Sequence, residues 1–213
     1  MSYHVSDLYQ RYPELKKIEY SISGAFSILK SSIEKDGTVF VCGNGGSASD
    51  AEHIVGELLK GFLLKRGKDD LFTGSAVKVL GENEGKRISG LLQNGIRAIS
   101  LNAHLAFTTA YINDVCAEMV YAQQLHVLGR KGDVFIGISS SGNAVNVLNA
   151  LKVAKVSGVK SILLTGKGGG KCASFADCCI KVPSDETYKI QEYHLPIYHA
   201  LCAMLEDYLY GSK

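Results

Sequence analysis

His53 and Glu57 stand four residues apart, close behind the run Gly43-Asn44-Gly45-Gly46-Ser47. On a helix that spacing puts both side chains on one face. A carboxylate there can take a proton from carbon, and an imidazole with a near-neutral pKa can move protons between oxygens. The same pair can instead bind a metal, since histidine nitrogen and carboxylate oxygen are both zinc donors. It can also be an ordinary ion pair on an amphipathic helix, and the spacing alone leaves the three open. A second pair, Gln191 and His199, lies near the end of the chain, with Glu192 and His194 close by. Eight residues of straight helix separate Gln191 from His199 by about 12 Å. The two reach one point only if Gln191 sits at a bent end or a second subunit contributes.

The glycine run follows the apolar segment Thr38-Val39-Phe40-Val41-Cys42 and opens a helix-compatible stretch from Ser49 to Leu64. Glycines at a strand-to-helix turn let the backbone approach a ligand. The free N–H groups and dipole of the helix start favour an anion, most simply a phosphate. The pattern recurs: Asp133-Val134-Phe135-Ile136-Gly137-Ile138, then Ser139-Ser140-Ser141-Gly142-Asn143, then an alanine-rich helical segment. Two such loops, each placed after a strand, point to a phosphate-binding α/β protein.

Strands are expected near 39–42, 97–101, 134–138, 160–165 and 179–182, and helices over 6–35, 49–64, 115–129, 143–157 and 188–210. Short apolar strands alternating with helices imply a parallel sheet covered on both faces, with ligands at the carboxyl ends of its strands. Residues 65–95 break this rhythm, with helix-like pieces around Val77–Leu80 and Lys86–Leu92, and read as an insertion, a lid or a subunit contact. Asn113-Asp114 offers polar groups for sugar hydroxyls or, equally, a turn or cap before the next helix. Ser139, Ser140 and Ser141 could give hydroxyl and N–H groups to a phosphate. The run Thr165-Gly166-Lys167-Gly168-Gly169-Gly170-Lys171 lacks the spacing of a nucleotide-binding loop and reads as a turn.

At 213 residues, with 23 basic and 21 acidic side chains, the chain has the size of one domain and no basic block suited to nucleic acid. No leader-like segment or membrane-length apolar run is visible, which places the protein among soluble, cytoplasmic ones. Its six cysteines form no C-x-x-C pair, so buried, reduced thiols are expected rather than a metal ribbon or disulfide scaffold.

Taken together, Cys42-Gly-Asn-Gly-Gly-Ser47, Asp50-Ala51 through Glu57, Asn113-Asp114, Gly137 through Asn143, Leu164-Thr-Gly-Lys167, and Ile190-Gln191-Glu192 through His199 resemble the sugar isomerase (SIS) family. Within it they are similar to the phosphoheptose isomerases, which convert sedoheptulose 7-phosphate to D-glycero-D-manno-heptose 7-phosphate for surface-glycan precursors. The resemblance covers most of the chain outside 65–95. It implies a single doubly wound domain over 37–213, with a five-stranded parallel sheet flanked by helices, and an N-terminal helical extension over 1–36 used for oligomerisation. It further implies Glu57 as general base and His199 as general acid. Asn44, Gly45, Gly46, Ser47, Glu57, Asn113, Asp114, Ser139, Ser140, Ser141 and Gln191 would hold substrate. His53, Glu57, Gln191 and His199 would bind one zinc per subunit in a homotetramer with interfacial active sites. Three features depart from the family: Ala144 replaces a substrate-contacting serine, the basic residues after Glu57 are displaced to Lys60 and Lys65-Arg66, and 65–95 is longer. These departures leave a non-enzymatic phosphosugar sensor or protein-binding adaptor as the alternative.

Overall fold

Alternation within the strands explains both layers of the core. In a computed structural model describing residues 3–67 and 69–211, β1 (Val39–Cys42) turns Val39 and Val41 to one side and Phe40 and Cys42 to the other. All four are buried, as expected of a strand covered on both faces. With β2 (Ala98–Ser100), β3 (Val134–Ser139), β4 (Lys160–Thr165) and β5 (Cys178–Lys181) it forms a parallel sheet of order β2-β1-β3-β4-β5. Register runs through Val39 opposite Ala98 and Val134, and Ile136 opposite Ile162. The strand order reverses direction between β1 and β3, which opens a crevice at their carboxyl ends. Both glycine loops leave the sheet there.

One face is covered by α1 (Tyr3–Arg11), α2 (Glu19–Ile33), α3 (Gly46–Leu59) and α9 (Thr187–Tyr210), which bury Leu8, Ile22, Leu29, Ile54, Leu58, Ile197 and Leu201 against the inward valines and isoleucines. The other is covered by α7 (Val120–Leu128) and α8 (Val145–Ser157), through Val120, Leu125, Val147 and Leu151. The segment expected as one helix over 6–35 is three pieces. Pro13 opens a 3₁₀ turn over Pro13–Ile18 between α1 and α2, because its ring fixes φ and supplies no N–H to continue α1. The described part of residues 1–36 shares the core of the sheet.

The expected helix over 115–129 is displaced. Residues Ala117–Met119 are a 3₁₀ turn and the helix proper is α7, while an unexpected helix, α6 (Leu105–Asp114), precedes it and buries no residue. Asn113 and Asp114 therefore close α6 rather than cap the next helix. Between α3 and β2, the stretch 65–95 forms a helical hairpin, α4 (Asp70–Leu80) and α5 (Glu82–Leu91), with Asp69 capping the first through Phe72 N–H at 3.0 Å.

The six cysteines are free. Burial pushes Cys172 and Cys178 up to about 11 and Cys202 to about 12, so these three are not ready thiolates at neutral pH. Among the described residues, no helix is long and apolar enough to cross a membrane.

Candidate active site

The first loop is held from beneath by groups that no local motif marks. Asn102, just past β2, accepts from Gly43 N–H at 3.2 Å and donates to the Gly43 carbonyl at 2.8 Å. The Tyr121 hydroxyl donates to the same carbonyl at 2.7 Å and lies 3.1 Å from Asn44 Oδ1. Burial pushes Tyr121 up to about 12, so the phenol stays protonated as a donor. Gly45 has φ of +57°, where a side chain would be strained, and this turn aims the start of α3 at the crevice.

Asn44 links the two loops. Its amide exchanges two 2.9 Å hydrogen bonds with the amide of Asn146 in the first turn of α8. Asn146 has no spacing motif of its own, and only the packing of the loops reveals it. Ser47 and Ser139 are buried, Ser140 partly, and Ser141 exposed. The Ser139 hydroxyl accepts weakly from Ala144 N–H at 3.4 Å, while Ala144 itself gives α8 no side-chain cap. Gly142 has φ of +66°, and any side chain there would run into the Gly169 carbonyl. The 165–171 run is thus packing for the second loop, as a turn should be. Gln191 joins this cluster: a Cβ on Gly46 would lie 2.8 Å from its Nε2.

A second cluster gathers further along α3. His53 Nε2 lies 3.1 Å from Glu57 Oε1, and His53 Nδ1 lies 3.1 Å from the Tyr198 hydroxyl. Tyr198 also reaches Asp50 at 3.2 Å, and Lys60 Nζ donates to Glu57 Oε2 at 3.0 Å. His199 packs edge-on against His53, ring centres 4.9 Å apart, with Phe62 on its other side at 5.4 Å. Its Nε2 is buried with no hydrogen-bond partner. Burial and the neighbouring His53 hold His199 below the ordinary imidazole value, which favours the neutral ring. Burial raises Asp50, against the pull of Tyr198 and His53.

The loop after α3 is clamped by a buried ion pair. Glu206 accepts from the N–H groups of Phe62, Leu63 and Leu64 at 2.8, 2.6 and 2.9 Å and from Arg66 Nε at 2.9 Å. Burial alone would raise Glu206, but these donors hold it below the ordinary carboxylate range. Arg66 also donates to the Leu58 and Glu57 carbonyls. Arg66 is therefore spent on structure, and Lys60 is the cation beside Glu57.

The proposed residues thus form two groups. Asn44 to Ser47, Ser139 to Ser141 and Gln191 surround the crevice, while His53, Glu57 and His199 meet beside the 60s loop. Asn113 bonds Asp114 at 2.8 Å, and neither makes a hydrogen bond to either group among the described residues. Helices α3 and α9 run side by side in the same direction, so Gln191 pairs with Gly46 and His199 with His53. Glu57 lies eleven residues past Gly46, about 16 Å along the axis.

The donor types of His53, Glu57 and His199 suit zinc, and the orphaned His199 Nε2 is a nitrogen of the right kind. His53 and Glu57 turn their facing atoms toward each other. Among the described residues, no three His, Cys, Asp or Glu side chains surround a metal-sized point.

A doubly wound sheet with paired glycine loops at its switch point, and a carboxylate–imidazole cluster on α3 and α9, is a frame suited to a phosphorylated ligand. Comparison with known proteins makes this specific. The SIS domain family matches residues 98–207, and a second SIS domain model matches 6–91. A phosphoheptose isomerase of Helicobacter pylori (strain P12) is 37% identical over 192 residues, covering 90% of this chain and 86% of that one. That of Aneurinibacillus thermoaerophilus is 37% identical over 175 residues, covering 82% and 75%. Among solved structures, phosphoheptose isomerase GmhA from Neisseria gonorrhoeae superposes with a TM-score of 0.73 at 30% identity, over 96% of this chain and 95% of that one. A phosphoheptose isomerase from Francisella tularensis gives 0.74 at 28% identity, over 95% and 94%. The chain belongs to the SIS domain family, in its phosphoheptose isomerase group.

Proposed function

We propose that this protein is an aldose–ketose isomerase that converts sedoheptulose 7-phosphate to D-glycero-D-manno-heptose 7-phosphate, a step toward heptose-containing surface glycans. The observation that carries this is the His53–Glu57–His199 cluster, kept in a chain whose two loops build an anion site. Binding a phosphosugar needs the loops alone, whereas an acid–base cluster on the adjoining helix serves proton transfer.

Glu57 takes the proton from C1 of the ketose and returns it to C2, with the enediol between. His199, held neutral, gives a proton to the C2 oxygen and recovers one from the C1 oxygen. His53 and Lys60 hold the two oxygens of Glu57 in place before substrate arrives. The loops, with Gln191, fix the phosphate and so orient the far end of the sugar. Zinc, one per subunit, would take His53, Glu57, Gln191 and His199 as donors and would polarise the substrate carbonyl.

A single chain does not bring these parts to one substrate. About 16 Å of helix separates Gly46 from Glu57. An extended seven-carbon sugar spans on the order of 10 Å from C1 to phosphorus, by ordinary bond lengths. The working site is therefore shared between copies, the loops and Gln191 of one facing the Glu57 cluster of another, in a homotetramer of the cytoplasm in which the N-terminal helices also take part.

The test is incubation of purified, metal-analysed protein with sedoheptulose 7-phosphate in deuterated water, followed by NMR. An aldoheptose 7-phosphate carrying deuterium at C2 is the expected product. Neither product nor exchange, with zinc supplied and the oligomer intact, would move the protein to the binding-only reading.

A further inference from the structure

The hairpin of α4 and α5 has no role in the scheme above, and it is thinly covered by the rest of the fold. Its two helices pack on each other, with Gly85 set close against the backbone of Ala76 and Val77, and neither packs extensively on another element. They are 11 and 10 residues long, and isolated helices shorter than about 12–15 residues are marginal in water. Even so, Leu71 is 86% exposed, Val79 79% and Leu91 74%. Leu71 and Val79 lie eight residues apart on one stripe of α4. Such an apolar stripe on a thinly supported hairpin marks an interaction surface.

Its foot is firmly placed. Gly61 N–H donates to Gln93 Oε1 at 2.8 Å, Asn94 N–H to the Gly67 carbonyl at 3.3 Å, and Ile96 N–H to the Leu58 carbonyl at 2.8 Å. With Arg66 pinned by Glu206, the arm springs from the end of α3 that carries Glu57. A second uncovered element lies at the pole of the glycine loops. Helix α6 follows β2 there, buries no residue, and exposes Leu105 at 74%, Ile112 at 46% and Val115 at 65%.

We infer that the α4–α5 arm of one copy clasps α6 of a second copy. This rests on the shared-site reading, which already requires the loop pole of one chain to face the Glu57 cluster of another. The arm begins at the Glu57 cluster, and α6 stands at the loop pole, so one contact satisfies both apolar faces. It also brings Asn113 and Asp114, at the end of the partner's α6, toward the sugar hydroxyls. The insertion is thus an assembly arm that helps complete the site.

The test compares sedimentation velocity and dilution activity of wild type, a Leu71→Asp/Val79→Asp variant and a Leu105→Asp/Val115→Asp variant. Burying charges at the contact should weaken association by about 100-fold or more in each, with specific activity falling on dilution and recovering at high protein concentration. If circular dichroism shows that the charged arm has lost helix, the neutral Leu71→Gln/Val79→Gln variant takes its place. Unchanged assembly and unchanged dilution activity in the arm variant would overturn the arm. Dissociation of the arm variant with an intact α6 variant would overturn docking on α6. A wild-type protein that assembles but turns over no sugar phosphate sinks the isomerase reading and leaves the arm measurable on its own.

Discussion

Glu57 is tied at both oxygens, by His53 at 3.1 Å and Lys60 at 3.0 Å, so the proposed base is positioned before substrate enters. Glu57→Gln keeps the shape and removes the basicity. It should lower kcat by about 100- to 10,000-fold and stop deuterium exchange while sugar-phosphate binding persists; exchange at the wild-type rate would remove Glu57 from the mechanism. His194, one turn before Tyr198 on α9, behaves differently. It is fully buried, neither ring nitrogen has a hydrogen-bond partner, and burial lowers it to about 4, against a weaker opposing influence of the Thr165 backbone. The unfolded chain holds its proton up to about pH 6.5, so it binds more protons than the folded chain between 6.5 and 4. The His194 contribution is therefore complete above that window and lost as pH falls through it. Wild type should lose about 3 kcal/mol more than His194→Gln between pH 7 and pH 4 in denaturant titrations. Parallel pH profiles for the two proteins would show that His194 finds a proton acceptor in the folded state.

At the scale of elements, α9 does most of the organising. It carries Gln191 to the loops, His199 to His53, and Glu206 to the 60s loop, in that order along one helix. Glu206 is the anchor through which the fold reaches the site, since Phe62 on His199 is held by the Glu206–Phe62 hydrogen bond. Glu206→Gln leaves Arg66 buried beside a neutral amide and offers the loop one oxygen fewer. Breaking a buried pair in this way should cost about 3–5 kcal/mol and lower activity as Phe62 comes loose. Thermal unfolding and turnover measured together read it, and a stable, fully active variant would show that the loop is held by other contacts.

At the scale of the whole molecule, the separation of the two residue groups makes a prediction about mixtures. Gly46→Val crowds Gln191 and spoils the loop group, while Glu57→Gln spoils the acid–base group. Each homo-oligomer should be inactive. If sites are shared between copies, dissociating and reassembling the two together should restore activity, up to a fraction set by the share of mixed interfaces. No recovery, with mixed oligomers demonstrated by mass, would return the whole site to one chain.

The residues alone determined a good deal. Short, continuously apolar runs marked the strands, because a strand covered on both faces must be apolar at successive positions, and their alternation with helices made the sheet parallel. The glycines after β1 and β3 marked the two loops that line the crevice at the carboxyl ends of the sheet, since a tight strand-to-helix turn is a local property of the chain. The resemblance supplied the candidate acid–base residues, and spacing alone put His53 and Glu57 on one face. Packing decided the rest. Asn102, Tyr121 and Asn146 support the first loop from places 59 to 102 residues away, and no local pattern announces a contact made across a sheet. In 65–95 only helix-like pieces were legible, and their pairing into a hairpin went unread because the helices are short and bury almost nothing. Spacing already set Gln191 about 12 Å from His199 along one helix. What the tertiary structure decided is that α3 runs beside α9 in the same direction, seating Gln191 against Gly46 and His199 against His53, because only packing chooses which turns of two helices meet.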